Sequence, residues 1–465
     1  MISKMPTPFL LKDPAALTPE LICKYIKIHH EMASDRYKKL KDYYEGRHSI
    51  LLREPKRKND PCNNLMANFA KYITDFASGY LIGEPISYSS DDKTGLDNLT
   101  DWFKKSQCDV QDMDNAKQQS IYGVAYELVY LSSDDAPTPK TASIDPSQGF
   151  VIYNSTVELK PVAGIYYYER KDPATQRVIG YTAECSTATE YITFDILEDF
   201  GLDANTVEIK ENPFKAVTLI EIYNNNEMQG DFEQLISLID GYNMQQSSRV
   251  DDVENFVNSL MVLKGQTLGY TSEERAETYK DIKDNGVIEL TPESDLSFLT
   301  RQIDQQGNEV LAEHIADDIH KFSYVPSLTD KDFASNVSGV AMQFKLLGLN
   351  QITKIKERYT KEGIRERIQL FDNILAVKGL KPVDPADVTI TINHSLPKNL
   401  VEIAQVVGNL EGLCSKETLV SQLPFVEDPE KEVQKATEER RQLMDEQFVM
   451  ANLSAGLNGN DNDSE

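Results

Sequence analysis

The sequence predicts an α+β chain, mainly helical. Three observations carry that reading. Long amphipathic patterns at helical spacing recur at both ends and through the middle of the 465 residues. Between Gly123 and Tyr223, short runs rich in Tyr, Val and Ile alternate with turn residues, as strands do. Two further helical patterns, 232–264 and 309–325, flank a compact insertion, which gives a hairpin-like stalk with a knob at its tip.

The first helix is expected from Thr18 to Tyr44. "TPEL" supplies a Thr cap, Pro at the first helical position and Glu at the second, and Gly46 ends the pattern. "REPKRKND", Arg53 to Asp60, reads as a basic turn, more often a solvated surface than a phosphate contact. A second helix is expected over "NLMANFAKYITDFASGYLIG", with Leu65, Phe69, Ile73, Phe76 and Tyr80 on one face. "GEPISYSS" leaves it as a strand, and "LTDWFKKSQCDVQDMDNAKQQSIYG" forms a third helical zone.

After the β-rich region and the polar loop "NNNEMQGDFEQ", one helix of about 30 residues, some 45 Å long, is expected from Phe232 to Lys264. Its apolar positions include Leu235, Ile239, Tyr242, Val253, Phe256 and Leu260. Its middle, "MQQSSRVDDVEN", is polar, which suggests a face turned to solvent or to a neighbouring copy. The returning helix carries Leu311, Ile315, Ile319 and Phe322 on one stripe. "KDFASNVSGVAMQFKLLGLNQ" then joins a small, polar stretch to a helical pattern running from Gly339 to Lys378. That pattern slips in phase near Gly348 and Gly363. Each internal Gly costs about 1 kcal/mol against Ala. Bends or a close helix crossing would both account for them. "VDPADVTITINHSLPKN" gives a strand and a turn, several short helices follow, and "LNGNDNDSE" reads as a disordered tail.

Composition narrows the function. Hydrophobic residues are 40% and charged residues 26%, ordinary for a folded soluble chain. No apolar run reaches the length of a membrane span, and the N-terminal apolar stretch is too short and Pro-broken for a signal peptide. Five scattered cysteines (Cys23, Cys62, Cys108, Cys185, Cys414) argue for reduced thiols and against a zinc site. The net charge of -27 disfavours a sequence-specific DNA binder. It remains compatible with a surface along which DNA must pass without sticking.

No catalytic constellation is present: no phosphate-binding or dinucleotide-binding Gly motif and no nucleophile elbow. "HHEMASD", His29 to Asp35, lacks the second His of a zinc protease motif, and the remaining histidines are scattered. The acidic pairs Asp251–Asp252 and Asp317–Asp318 suit a solvated face better than Mg²⁺. No cofactor, no metal and no enzymatic activity are expected.

Several motifs resemble one family in order along the chain. "YYEGRHSIL" (43–51), "NNLMANFAKYITDFASGYLIGEPISY" (63–88), "YGVAYELVY" (122–130), "IEIYNNNEMQGDFEQLISLIDGYNMQQSSRVDDVENF" and "SNVSGVAMQFKLLGLNQ" are similar to motifs of the portal proteins of tailed double-stranded DNA bacteriophages with long non-contractile tails. The resemblance implies a dodecameric ring at one capsid vertex, with DNA entering and leaving through its channel. In that fold, residues 1–231 would be a wing and 232–265 a stem helix. Residues 266–302 would be a clip and 303–325 a second stem helix. Residues 326–338 would be a tunnel loop, 339–400 a long bent helix with a return strand, 401–452 a crown and 453–465 a disordered tail.

The resemblance also assigns roles. Ser327, Thr329, Asp330, Lys331, Asp332, Phe333, Ser335, Asn336 and Ser338 would face DNA, with Gly339, Gly348 and Gly363 as helix hinges. Asp251, Asp252 and Glu254 would line the channel, where screening over about 8 Å lets only near-wall charge act. Tyr270, Glu273, Glu274, Arg275 and Asp284 would form a docking surface on the clip. Implied partners are further copies of the chain, the major capsid and scaffolding proteins, the terminase large subunit, a head-completion adaptor and DNA of any sequence, with no membrane. The expected location is the virion's portal vertex, reached from the host cytoplasm. The alternative is an acidic helical adaptor or scaffold protein without a DNA channel.

Overall fold

The computed structural model describes residues 8–57, 60–257, 260–265, 267, 269–285, 292–299, 305–327, 344–394, 400–423, 426 and 429–457. Helix and sheet are mixed, with helix the larger share. The chain divides into two compact units, one of residues 1–333 with 345–395, the other of 334–344 with 396–465.

In the first unit, helix α1 (Pro19–Tyr44) starts as its sequence dictates. Thr18 Oγ1 accepts from Leu21 N at 3.3 Å, Pro19 occupies the first turn, and Gly46 takes φ +83° beyond the end. On its buried face, Ile22, Cys23 and Ile26 pack on a six-stranded sheet, while Tyr37 meets Tyr122 edge-on. The sheet's order is β1 (Phe9–Leu11), β5 (Gly149–Asn154), β6 (Pro161–Lys171), β7 (Val178–Thr187), β8 (Glu190–Leu197) and β9 (Leu202–Glu211). Strand β1 pairs parallel to β5 and the rest of the sheet is antiparallel. Phe150, Ile165, Ala183 and Phe194 complete this core, and Ala183 and Phe194 alternate with the polar Thr182, Glu184, Thr193 and Asp195.

A three-stranded sheet, β10 (Leu219–Tyr223), β3 (Val124–Leu131) and β4 (Pro139–Ile144), builds a second core. Over it lie α3 (Lys93–Ser106), α4 (Cys108–Tyr122) and the long α8 (Leu347–Val377). Trp102, Phe103, Ile220, Ile222, Ile364, Ile368 and Phe371 meet there. The return strand β13 (Thr389–Thr391) pairs antiparallel with β2 (Ser87–Ser89), joining residues some 300 apart in sequence. Helices α5 (Ile236–Val257) and α7 (Gln305–Ser323) lie side by side. The second unit contains α9 (Leu400–Leu410), α10 (Lys416–Val420) and α11 (Pro429–Leu457).

Several expectations change. Helix α2 spans Phe69–Leu81 and excludes Leu65, because Asn68 caps it through Lys71 N at 2.9 Å. The third helical zone is two helices, broken at Gln107 with φ +54°. The stalk's first helix ends at Val257. Leu260–Lys264, expected as helix, is strand β11, paired antiparallel with β12 (Asp295–Leu299). A run of apolar residues that short fits either period, and the partner strand decides it. The insertion between α5 and α7 therefore starts before residue 266. The last helix is one long element reaching Leu457, past the expected boundary at 452. Strands β1, β4 and β9 lie outside the expected runs; β1 and β4 carry little alternation, and β9 is an exposed edge.

Candidate functional site: the α5–α7 helix pair and its surroundings

The polar middle of α5 is a stripe of hydrogen-bonding groups. Asp240, Asn243, Ser247, Asp251 and Glu254 recur every three or four residues, so they share one face over about four turns. Each is met by the segment between Tyr43 and Ala67. Asp240 accepts from Tyr43 Oη at 2.7 Å and Ser49 Oγ at 3.0 Å. Asn243 Oδ1 accepts from Ala67 N at 2.8 Å, while its Nδ2 donates to His48 Nδ1 at 3.0 Å. Ser247 Oγ accepts from Leu65 N at 3.0 Å. Asp251 Oδ1 accepts from Asn63 N at 2.7 Å and Asn63 Nδ2 at 3.0 Å, and Arg53 Nη1 stands 2.8 Å from its Oδ2. Glu254 Oε2 accepts from Asn63 Nδ2 at 2.9 Å.

Asp251, expected to line a channel, is 6% exposed, ion-paired to Arg53 and bonded to Asn63, so its carboxylate is turned into the chain. Of its neighbours, Asp252 is half-buried and Glu254 is exposed.

A second polar stripe runs along α8. Lys356, Thr360 and Arg367 are buried, with Gly363 between them. Lys356 pairs with Asp231, which also accepts from Ser120 Oγ at 2.6 Å and Asn224 Nδ2 at 3.0 Å. Thr360 meets Gln119 at 3.3 Å. Arg367 holds Glu127 by two bonds, at 2.6 and 2.7 Å, and Asp112 Oδ1 at 2.7 Å, and Asn115 Nδ2 donates to Glu127 at 2.7 Å. Such bidentate pairing satisfies charges that burial would otherwise penalise heavily.

Helix α8 runs unbroken through Gly363, where a residue of strand β10 approaches it closely. A Cβ there would stand 2.6 Å from Ile222 Cγ1. At Gly348, in the first turn, a Cβ would meet the Tyr324 ring at 2.9 Å. Ser327 is half-buried at the end of a described stretch. Thr329, Asp330, Lys331, Asp332, Phe333, Ser335, Asn336, Ser338 and Gly339 lie outside the described residues.

On the insertion, α6 (Ser272–Asn285) begins with a capping box. Glu274 N donates to Thr271 Oγ1 at 3.2 Å, and Glu274 Oε2 accepts from Thr271 N at 3.3 Å and Tyr270 N at 2.9 Å. Arg275 Nε donates to Thr271 O at 3.1 Å. Glu274 and Arg275 thus order the helix start, while Tyr270, 92% exposed, and exposed Glu273 and Asp284 are presented outward. On α7, Ile319 is buried, but Leu311 and Phe322 of the same expected stripe are 48% and 56% exposed.

His29, His30, His48, His320 and His394 behave as packed or bridging groups, while His314 is exposed. His29 lies among Phe9, Phe150 and Tyr167, and burial pulls its pKa down to about 3, which keeps it neutral. Among the described residues, no cluster of His, Cys, Asp and Glu could hold a metal, and no helix is long and apolar enough to cross a membrane.

The family described as phage portal protein, SPP1 Gp6-like, matches residues 23–446. The chain belongs to that family, whose members are structural proteins of bacteriophages rather than enzymes. It is 24% identical over 443 residues to the portal protein of Bacillus phage SPP1, covering 92% of this chain and 85% of that relative. It is 20% identical over 428 residues to the portal protein of Clostridium phage phiCD119, covering 86% and 92%. A solved structure described as the neck of an empty GTA particle aligns with TM-score 0.46 and 10% identity, covering 76% of this chain and 89% of that one.

Proposed function

We propose that the chain assembles into a closed ring at one vertex of a phage capsid, a dodecamer through whose channel double-stranded DNA is packaged and ejected. The family match over residues 23–446 carries this reading. A closed ring needs two different complementary faces on each subunit. Exposed Val310, Leu311 and Phe322 on α7, beside exposed Val250 and Val253 on α5, supply apolar surface suited to such contacts.

The insertion around Tyr270, Glu273 and Asp284 serves as the docking face for the terminase motor and later for a head-completion adaptor. Residues 327–338 form the loop nearest the DNA, where Lys331 between Asp330 and Asp332 keeps the local charge negative. With Asp251 buried inside the chain, the acidic lining falls to Asp252 and to Glu254, which stays exposed while accepting from Asn63. Capsid and scaffolding proteins surround the ring, and assembly takes place in the host cytoplasm. Negative-stain imaging of the purified full chain tests the ring. Closed rings with a central hole about as wide as duplex DNA are expected; open filaments or persistent monomers at high concentration count against it.

A further inference from the structure

The segment Pro61–Asn68 belongs to no helix or strand, yet its backbone is held at alternate residues. Asn63 N, Leu65 N and Ala67 N donate to Asp251, Ser247 and Asn243 in turn. Two residues of extended chain advance about 6.6 Å and four residues of helix about 6.0 Å, so the two repeats nearly match. The segment therefore runs antiparallel along α5 like a strand whose partner is a row of side chains. The intervening amides of Asn64 and Met66 carry no such bond among the described residues.

The strap is held by polar rungs more than by apolar burial: Leu65 is 43% exposed and Asn64 and Met66 are only half-buried. The turn before it, with exposed Lys56 and Arg57, is tied to α5 through Arg53 and Asp251. A segment with few buried apolar contacts opens at lower cost than the cores beside it.

We infer that residues 61–68 form a separable latch that fastens α5 to the N-terminal helices and can open without unfolding either core. The latch does not rest on the ring reading, since the contacts it is argued from are made within one chain. Opening it frees the polar face of α5, Asn243 to Glu254, and loosens the helix pair relative to α1 and α2.

Residue-resolved hydrogen exchange on the full-length protein tests this, together with two variants. Leu65→Pro removes the middle donor and suits an extended backbone; Leu65→Ala trims the same side chain and keeps the N–H. In the unsubstituted protein the amides of 63, 65 and 67 should exchange at least about tenfold more slowly than those of 64 and 66. Leu65→Pro should speed exchange at 63 and 67 about tenfold and hasten tryptic cleavage after Lys56 and Arg57. Leu65→Ala should do neither, and in both variants the amides of α4 and β3 should stay protected. Equal exchange at all five amides, identical behaviour of the two variants, or loss of α4 and β3 protection in Leu65→Pro would each overturn the latch.

Discussion

Arg367 illustrates how a charge is made tolerable inside this chain. It is fully buried, yet Glu127 and Asp112 take its guanidinium from two sides and Phe103 lies 5.8 Å beneath it. Removing the cation would leave two carboxylates buried without a counter-charge, with Asn115 still donating to Glu127. Arg367→Ala should therefore lower stability by about 3–5 kcal/mol, read as a shifted urea midpoint. Arg367→Lys should recover only part of that loss, because a point charge cannot reach both carboxylates as a planar fork does. A midpoint unchanged in Arg367→Ala would show that the cluster is dispensable. Asp372 is the opposite case. Burial pushes its carboxyl up to about 7, with Asp384 adding to the rise, and its one backbone donor, Val383 N, is 3.4 Å away. An acid whose folded pKa is raised holds an extra proton in the folded state between about 4 and 7, so stability falls as pH rises through that window. Asp372→Asn should raise the melting temperature at pH 8, and the gain should vanish below about pH 3, where both states are protonated. An equal gain at both pH values would assign the effect to packing instead of charge.

At the level of elements, the two glycines that look alike in the sequence differ in the fold. Gly363 faces Ile222 across a helix–strand contact, where an added methyl meets Cγ1 at 2.6 Å and Cδ1 at 2.8 Å. The gain in helix propensity from Gly363→Ala, about 1 kcal/mol, is outweighed by overpacking of about 1–3 kcal/mol or more. Gly348→Ala meets one ring atom of Tyr324, which is 54% exposed and can swing away, so it should be close to neutral. A double-mutant cycle with Ile222→Ala decides the matter: the two costs should be clearly less than additive, and additivity would remove the steric account.

These elements also show what the sequence could and could not reveal. Helix α1, the β-rich region and the return strand were legible because caps, alternation and turn residues act locally. The role of α5's polar middle was not, because 240, 243, 247, 251 and 254 announce a shared face but not its partner. That partner lies some 190 residues earlier in a segment with no period of its own. Likewise Leu260–Lys264 became strand only because residues 295–299 lie beside it.

For the whole molecule, the proposed ring raises the question of what would hold neighbouring copies together. A monomer that leaves Leu311 48%, Phe322 56% and Val310 45% exposed on one helix keeps apolar surface that water disfavours. Fully burying a Leu or Phe side chain is worth about 1.5–3 kcal/mol, and a half-exposed one gains part of that. In a closed ring the gain repeats at every subunit contact, so small terms per copy decide between ring and monomer. Leu311→Asp with Phe322→Asp reverses the term, since each buried carboxylate would then be unpaired. Both positions point away from the cores, so the folded chain should keep its melting transition to within about 0.5 kcal/mol per substitution. Assembly should nevertheless collapse toward monomer, as read by native mass or by imaging at fixed protein concentration. If the doubly charged chain closes rings as the unsubstituted one does, the α7 stripe is not a subunit contact and the interface must be sought elsewhere. If its melting transition collapses as well, the stripe serves the fold of the single chain.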